Sequence, residues 1–138
     1  GKITSGYERY KKIVENPPKN LKFLGIVPRE EIRKFYASCN LFLLPSYAEL
    51  FPMSILEAAS CGAPIMLRDL DLYKNILEGK YLAGKDFVKM DKVIKEISKK
   101  PEILEKYKAK SKEISEYYSE DRLLKIWIDF YREQAKIK

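Results

Sequence analysis

Histidine is missing altogether from this 138-residue chain, and with it go the commonest general base and the commonest zinc ligand. A Ser-His or Cys-His nucleophilic site is excluded on the same ground. Cysteine is nearly missing too. Cys39 and Cys61 are the only two, and they form no C-x-x-C motif. In a chain without secretory features they read as reduced, buried thiols of a cytosolic protein. No apolar run approaches the ~20 residues that span a bilayer, and the opening residues have no signal-peptide pattern. Internal repeats and low-complexity linkers are absent as well. Whatever chemistry occurs here must rest on carboxylates, backbone amides or groups from another chain segment.

What is present is enough to fold. Hydrophobic residues make up 46% of the sequence and aromatics 12%, sufficient for a packed core, and the length is that of one domain. The net charge of +7 and a pI near 9.3 suit an acidic partner: nucleotide phosphate, anionic lipid or nucleic acid. A solvated, lysine-rich face accounts for the charge equally well. Lys99, Lys100, Lys106, Lys108, Lys110 and Lys112 are placed to attract anionic lipid, or simply to line a solvated helix. An aromatic-studded basic strand and a reading helix are both lacking, so nucleic acid is not an expected partner.

From Leu21 to Arg68 short apolar runs alternate with helical patterns. LKFLG (21–25) reads as a strand, and PREEIRKFYASC (28–39) as a helix with Pro28 and two glutamates at its dipole-positive start. In NLFLLPS (40–46), Leu41, Phe42, Leu43 and Leu44 run unbroken, the pattern of a strand buried on both faces. PMSILEAASC (52–61) is the next helix and APIMLR (63–68) the next buried strand. Strand–helix–strand–helix–strand with tight connections predicts an α/β fold, a Rossmann-like parallel sheet with flanking helices. Lys2 to Thr4 read as the tail of a further strand. After Arg68 come a short helix (70–78), a brief strand around Lys80 to Ala83, and a helical tail (86–138). The last helix is expected to start at the N-cap Ser119, with Leu123, Leu124, Trp127, Ile128 and Tyr131 on one apolar stripe. Ile126 and Phe130 lie beside that stripe and are expected to be exposed.

Two carboxylates stand out in ELFPMSILEAASCGAP (49–64), a segment otherwise suited to burial. Pro52 fits the first helical position, Gly62 the position just past the end, and Pro64 forbids continuation. The helix therefore begins right after a strand, at the crevice where open α/β sheets bind ligands. Free amides at Phe51, Met53 and Ser54 would make an anion site there. Glu57 follows Met53 and Ser54 on one helix face and leans back toward the N-terminus, while Glu49 approaches from the loop. Next to a phosphate, a carboxylate is best used to accept hydrogen bonds from hydroxyls, such as the vicinal pair of a sugar. The same spacing also fits a solvent-facing Glu57 and a Glu49 that is only a helix-start acid.

The ordered motifs FLG, FYASCNLFLLPSYAEL, E-x7-E over Glu49 and Glu57, and ASCGAP resemble the C-terminal signature of GT-B retaining glycosyltransferases of family 4. The resemblance is close from Leu21 to about Tyr81. It implies one half of a GT-B fold: residues 1–138 as a single nucleotide-sugar-binding domain, truncated on its N-terminal side, with 86–138 its helical tail and the acceptor domain lying elsewhere. By the same resemblance Glu49 is the acid facing the donor sugar near the reacting carbon, and Glu57 binds the ribose hydroxyls. Phe51, Pro52, Met53 and Ser54 hold sugar or diphosphate, and Ile26 and Val27 edge the base. The implied reaction moves a hexose, glucose first among the candidates, from UDP without metal or further cofactor. The stretch ELFPMSILEA followed by RDLDLYKNIL is most similar to bacterial diacylglycerol glucosyltransferases. That implies a lipid acceptor and a cytoplasmic enzyme, peripheral on the inner face of the membrane. A capsular or teichoic polysaccharide acceptor is the alternative on the same fold; a basic membrane- or nucleic-acid-binding module is the alternative of another class. Where many members have E-G-F-G this chain has Glu49-Leu50-Phe51-Pro52, so both glycines that allow close backbone approach are gone. The Arg/Lys pair that grips the diphosphate in the family has no clear counterpart here.

Overall fold

A computed structural model describes residues 5–136. The chain divides into two compact units, Gly1–Glu31 and Ile32–Lys138.

The smaller unit holds α1 (Ser5–Glu15), a helix that the sequence pattern does not announce. Its support is local. Glu8 lies in the first turn and Lys12 in the last, which suits the helix dipole, and Lys11 pairs with Glu15 one turn on at 3.8 Å. Pro17 and Pro18 then stop it. The strand expected at 21–25 is not found. A strand exists only with a ladder partner, and among the described residues none pairs with this segment. Leu21, Phe23 and Leu24 are exposed, and Phe23 meets Tyr10 edge-on at 6.2 Å. The strand tail expected at Lys2–Thr4 lies outside the described residues.

The larger unit is built on three parallel strands, β1 (Phe42–Leu44), β2 (Ile65–Arg68) and β3 (Leu82–Gly84), in the order β1-β2-β3. Phe42 faces Ile65, and Met66 faces Leu82. Parallel neighbours need a crossover: α3 (Met53–Ser60) links β1 to β2, and α4 (Asp71–Leu77) links β2 to β3. Before the sheet comes α2 (Arg29–Ser38), with Glu30 and Glu31 in its first turn as expected. After it come α5 (Phe87–Lys99) and α6 (Glu102–Tyr117).

All four residues of β2 are buried, and their alternation feeds two cores. Ile65 and Leu67 pack with Ile55, Ala59, Tyr73, Leu77 and Ile114, while Met66 packs with Leu82, Met90 and Ile97. Each fully buried Ile, Leu or Met among them contributes about 1.5–3 kcal/mol. The buried Ser111 hydroxyl donates to the Ala63 carbonyl at 2.6 Å and fixes α6 beneath the turn that joins α3 to β2. β1 differs from expectation. Leu43 is 43% exposed, because β1 lies at the edge and its outer face is uncovered. The two cysteines are free thiols but only half-buried.

The larger correction concerns α7 (Glu120–Ala135), which has no buried residue. The apolar stripe is exposed along its length, from Leu123 and Leu124 to Trp127, Ile128 and Tyr131, and Ile126 and Phe130 are exposed as expected. The aromatics cover one another instead, with Trp127 stacked on Tyr131 at 5.8 Å. Ser119 does occupy the N-cap in an extended conformation, but its hydroxyl accepts no capping hydrogen bond. A contiguous apolar surface of this kind favours association. Phe130→Ser is therefore expected to make the isolated chain more monomeric in sedimentation velocity, with a change in stability below about 0.5 kcal/mol, as for surface sites. Loss of the folded signal on this substitution would instead make Phe130 a core residue. Among the described residues no helix is long and apolar enough to cross a membrane.

Candidate functional site

The C-terminal ends of β1, β2 and β3 lie along one edge of the sheet, and residues 45–52 lead from that edge into α3. Pro52 takes the N-cap rather than the first helical position, at φ −73 and ψ 111, a shift of one residue that leaves the helix start where the sequence places it. Proline has no side chain able to cap. The amides of Phe51, Met53 and Ser54 make no hydrogen bond among the described residues, and the first paired amide is that of Ile55, which donates to Pro52. Three donors at a helix start are thus open to an anion. The other end closes as expected: Gly62, at φ +77, donates to Ala59 and turns the chain toward Pro64.

Glu57 is exposed on the outer face of α3. It lines an open groove of about 320 Å³ together with Met53, Leu56, Ser60, Ser115, Tyr118 and Ser119. The Phe51 ring lies 5.5 Å from that of Tyr118, one of the groove residues. The surface is rich in hydroxyls around one carboxylate. The Tyr118 hydroxyl is already committed to the Ile76 carbonyl at 2.7 Å. Across from Glu57, the Tyr36 hydroxyl approaches its Oε2 at 3.4 Å. Burial, and then the Glu57 charge, raise the Tyr36 phenol above its ordinary value.

Glu49 is half-buried and is not among the groove's lining residues. Its charge acts elsewhere, on the fully buried Tyr73 of α4, whose phenol is raised first by burial and next by Glu49. Met53 and Glu57 therefore meet at one groove, Phe51 touches its Tyr118, Pro52 and Ser54 belong to the helix start, and Glu49 is not among the lining residues. Ile26 and Val27 belong to the smaller unit, where Ile26 is fully exposed and Val27 half-buried.

The sequence pattern does not single out Tyr36, Arg68 or Tyr73. Arg68 ends an otherwise apolar strand and is 95% buried, being 5% exposed. Its Nε donates to the Pro45 carbonyl at 3.0 Å and its Nη1 to the Lys85 carbonyl at 2.9 Å. Its Cζ lies 3.9 Å from the Tyr47 ring centre and 5.3 Å from that of Phe87. The lysines of α6, by contrast, are interleaved with acids: Lys108 pairs with Glu105 at 2.7 Å and Lys112 with Glu116 at 3.9 Å. That face is mixed in sign rather than a uniform cationic surface.

Known proteins extend this description. The family profile described as "Glycosyl transferases group 1" matches residues 5–120. The chain is 60% identical, over 99% of its length, to the alpha-galactosylglucosyldiacylglycerol synthase of Streptococcus pneumoniae, of which it spans 37%. It is 29% identical, over 63% of its length, to the processive diacylglycerol alpha-glucosyltransferase of Acholeplasma laidlawii, of which it spans 27%. In three dimensions it matches the sucrose-phosphate synthase of Thermosynechococcus elongatus with a TM-score of 0.78 at 19% identity, covering 96% of this chain and 35% of that one. The architecture is the Rossmann-like arrangement of that GT-B enzyme.

Proposed function

This chain belongs to the group 1 glycosyl transferases, and on that premise we propose that it holds the nucleotide-sugar donor of an enzyme that transfers a hexose to a lipid hydroxyl such as that of a diacylglycerol. The observation that carries the reading is the 60% identity, over 99% of the chain, to a galactosylglucosyldiacylglycerol synthase. UDP-glucose is our first donor. The name of that relative also contains a galactosyl unit, so UDP-galactose stands beside it. A polysaccharide acceptor is the second choice on the same fold.

Local geometry supports a donor site on this chain. The open amides of Phe51, Met53 and Ser54 suit a departing diphosphate, whose stabilisation is the main electrostatic task in such a transfer. Pro52 sets the start of the helix that presents them. In this reading Glu57 accepts the ribose hydroxyls and Glu49 faces the donor sugar near the reacting carbon. The transfer needs no metal or additional cofactor. The acceptor groups come from a further domain of the enzyme, which works in the cytoplasm at the inner membrane surface, where its lipid acceptor lies.

Titration of the chain with UDP, UDP-glucose, UDP-galactose and GDP-mannose, followed by NMR, tests the donor site. Shifts are expected at residues 51–54 and 57 for the uridine nucleotides. Shifts confined to the lysine-rich helices would overturn it, as would binding only to nucleotide-free anionic vesicles. In the whole enzyme, glucosyl- or galactosyl-lipid formation is expected to persist in EDTA.

A further inference from the structure

Among the described residues two buried side-chain polar groups have no hydrogen-bond partner, the Arg68 Nη2 and the Tyr73 hydroxyl. Arg68 is tied to the segment that carries Glu49, while Tyr73 sits in the core against Tyr81. Arg68 grips the start of that segment through the Pro45 carbonyl and the face of Tyr47, two residues before Glu49. Its other arm holds the Lys85 carbonyl, just after β3. One guanidinium at the end of β2 thus ties together the chain leaving β1 and the chain leaving β3. Tyr73 is wholly buried on α4, and its phenol is raised first by burial and then by the Glu49 charge.

A buried donor without an acceptor is unfavourable. A buried guanidinium is more so, since two neutral carbonyls and two aromatic faces offset only part of its desolvation. Groups left in this state are expected where an acceptor arrives during function. The nearest acid on the gripped segment is Glu49, and the loop that carries it has no glycine to let it wander far.

We propose, on the reading of Glu49 as the acid at the donor sugar, that Arg68 and Tyr73 form its seat: Arg68 fixes where the segment leaves β1, and on donor binding the Glu49 carboxylate accepts the Tyr73 hydroxyl. Both are positioning residues, acting through Glu49 rather than on the sugar. Tyr73→Phe deletes only the unpartnered hydroxyl, so the melting temperature of the variant should equal or exceed that of the parent. In the whole enzyme, assayed with UDP-glucose and a diacylglycerol, Tyr73→Phe should lower kcat about tenfold, the effect of one hydrogen bond to a charged group, with little change in donor KM. Arg68→Lys keeps the charge but loses the fork and the stacked plane, and should lower kcat in the same way. Tyr73→Phe placed on Glu49→Gln should add nothing further, because the two act as a unit.

A merely structural role predicts the reverse: a lowered melting temperature with kcat and KM unchanged. If Glu49→Gln abolishes turnover while Tyr73→Phe retains both parental constants, the seat is overturned and the donor-site reading stands. If Glu49→Gln itself leaves turnover intact, the reading of Glu49 falls and the seat with it. Should the Arg68 variant fail to fold, the Tyr73→Phe constants and the double substitution decide.

Discussion

Glu49→Gln in the whole enzyme is expected to lower turnover about a hundredfold or more while changing affinity for free UDP by less than about threefold, within the range of a surface contact. The asymmetry follows from where the residue stands. Glu49 is half-buried on the loop after β1, and the groove that contains Glu57 does not include it. If Glu49 serves the donor sugar, free UDP offers this carboxylate nothing to accept, so the binding of UDP should scarcely register the change. The sugar, once present, must be held while positive charge develops at its reacting carbon. A carboxylate nearby opposes that charge and a carboxamide of the same size does not. The loss should therefore appear in kcat, read from initial rates at saturating donor, and not in a UDP titration. Equal losses in both would move Glu49 to the nucleotide end of the site.

The sequence was most informative where a local pattern and its tertiary surroundings agree. β2 is an apolar run closed by Arg68 and proves buried at every residue. α3 is bracketed by Pro52 and Gly62, and both mark its ends to within one residue. It was least informative where a pattern needs a partner to mean anything. LKFLG has strand composition, yet no strand among the described residues offers it a ladder. The stripe on α7 has helical spacing, and the helix forms, but spacing cannot say what covers the stripe; no residue of α7 is buried. β1 has the run of a doubly covered strand and lies at an edge, which leaves Leu43 open.

The candidate site divides in the same way. Helical spacing put Glu57 on the face of Met53, with which it lines the groove, and the helix start was legible because proline and glycine act locally. Arg68 was not, because its role depends on carbonyls 23 and 17 positions away. A charge closing an apolar strand was the available sign: such a residue is seldom so deeply buried without a task. Tyr36 and Tyr73 are aromatic residues on amphipathic helices, and nothing in the pattern distinguishes them from ordinary core.

Glu57→Ala should weaken nucleotide binding by about 1–3 kcal/mol, the loss of hydrogen bonds to a charged acceptor, with almost no effect on folding. Glu57 is exposed, and its one side-chain partner among the described residues, the Tyr36 hydroxyl, lies 3.4 Å away, long for a bond between oxygens. Removing it should leave a second trace. The Tyr36 phenol is raised by burial and then by the Glu57 charge, so in Glu57→Ala its titration, followed by ultraviolet absorbance, should move down while remaining above the ordinary value. A weakened site with an unmoved Tyr36 would mean that the substitution acted at a distance. The sharper test removes the partner from the ligand. If Glu57 holds the ribose hydroxyls, 2′-deoxy-UDP should bind the parent chain less well than UDP does. In Glu57→Ala the two nucleotides should then bind alike, because the interaction has already been lost and the two deletions cannot add. Fully additive losses would show that the carboxylate and the 2′-hydroxyl never meet, and Glu57 would then be a solvent-facing acid on the rim of the groove.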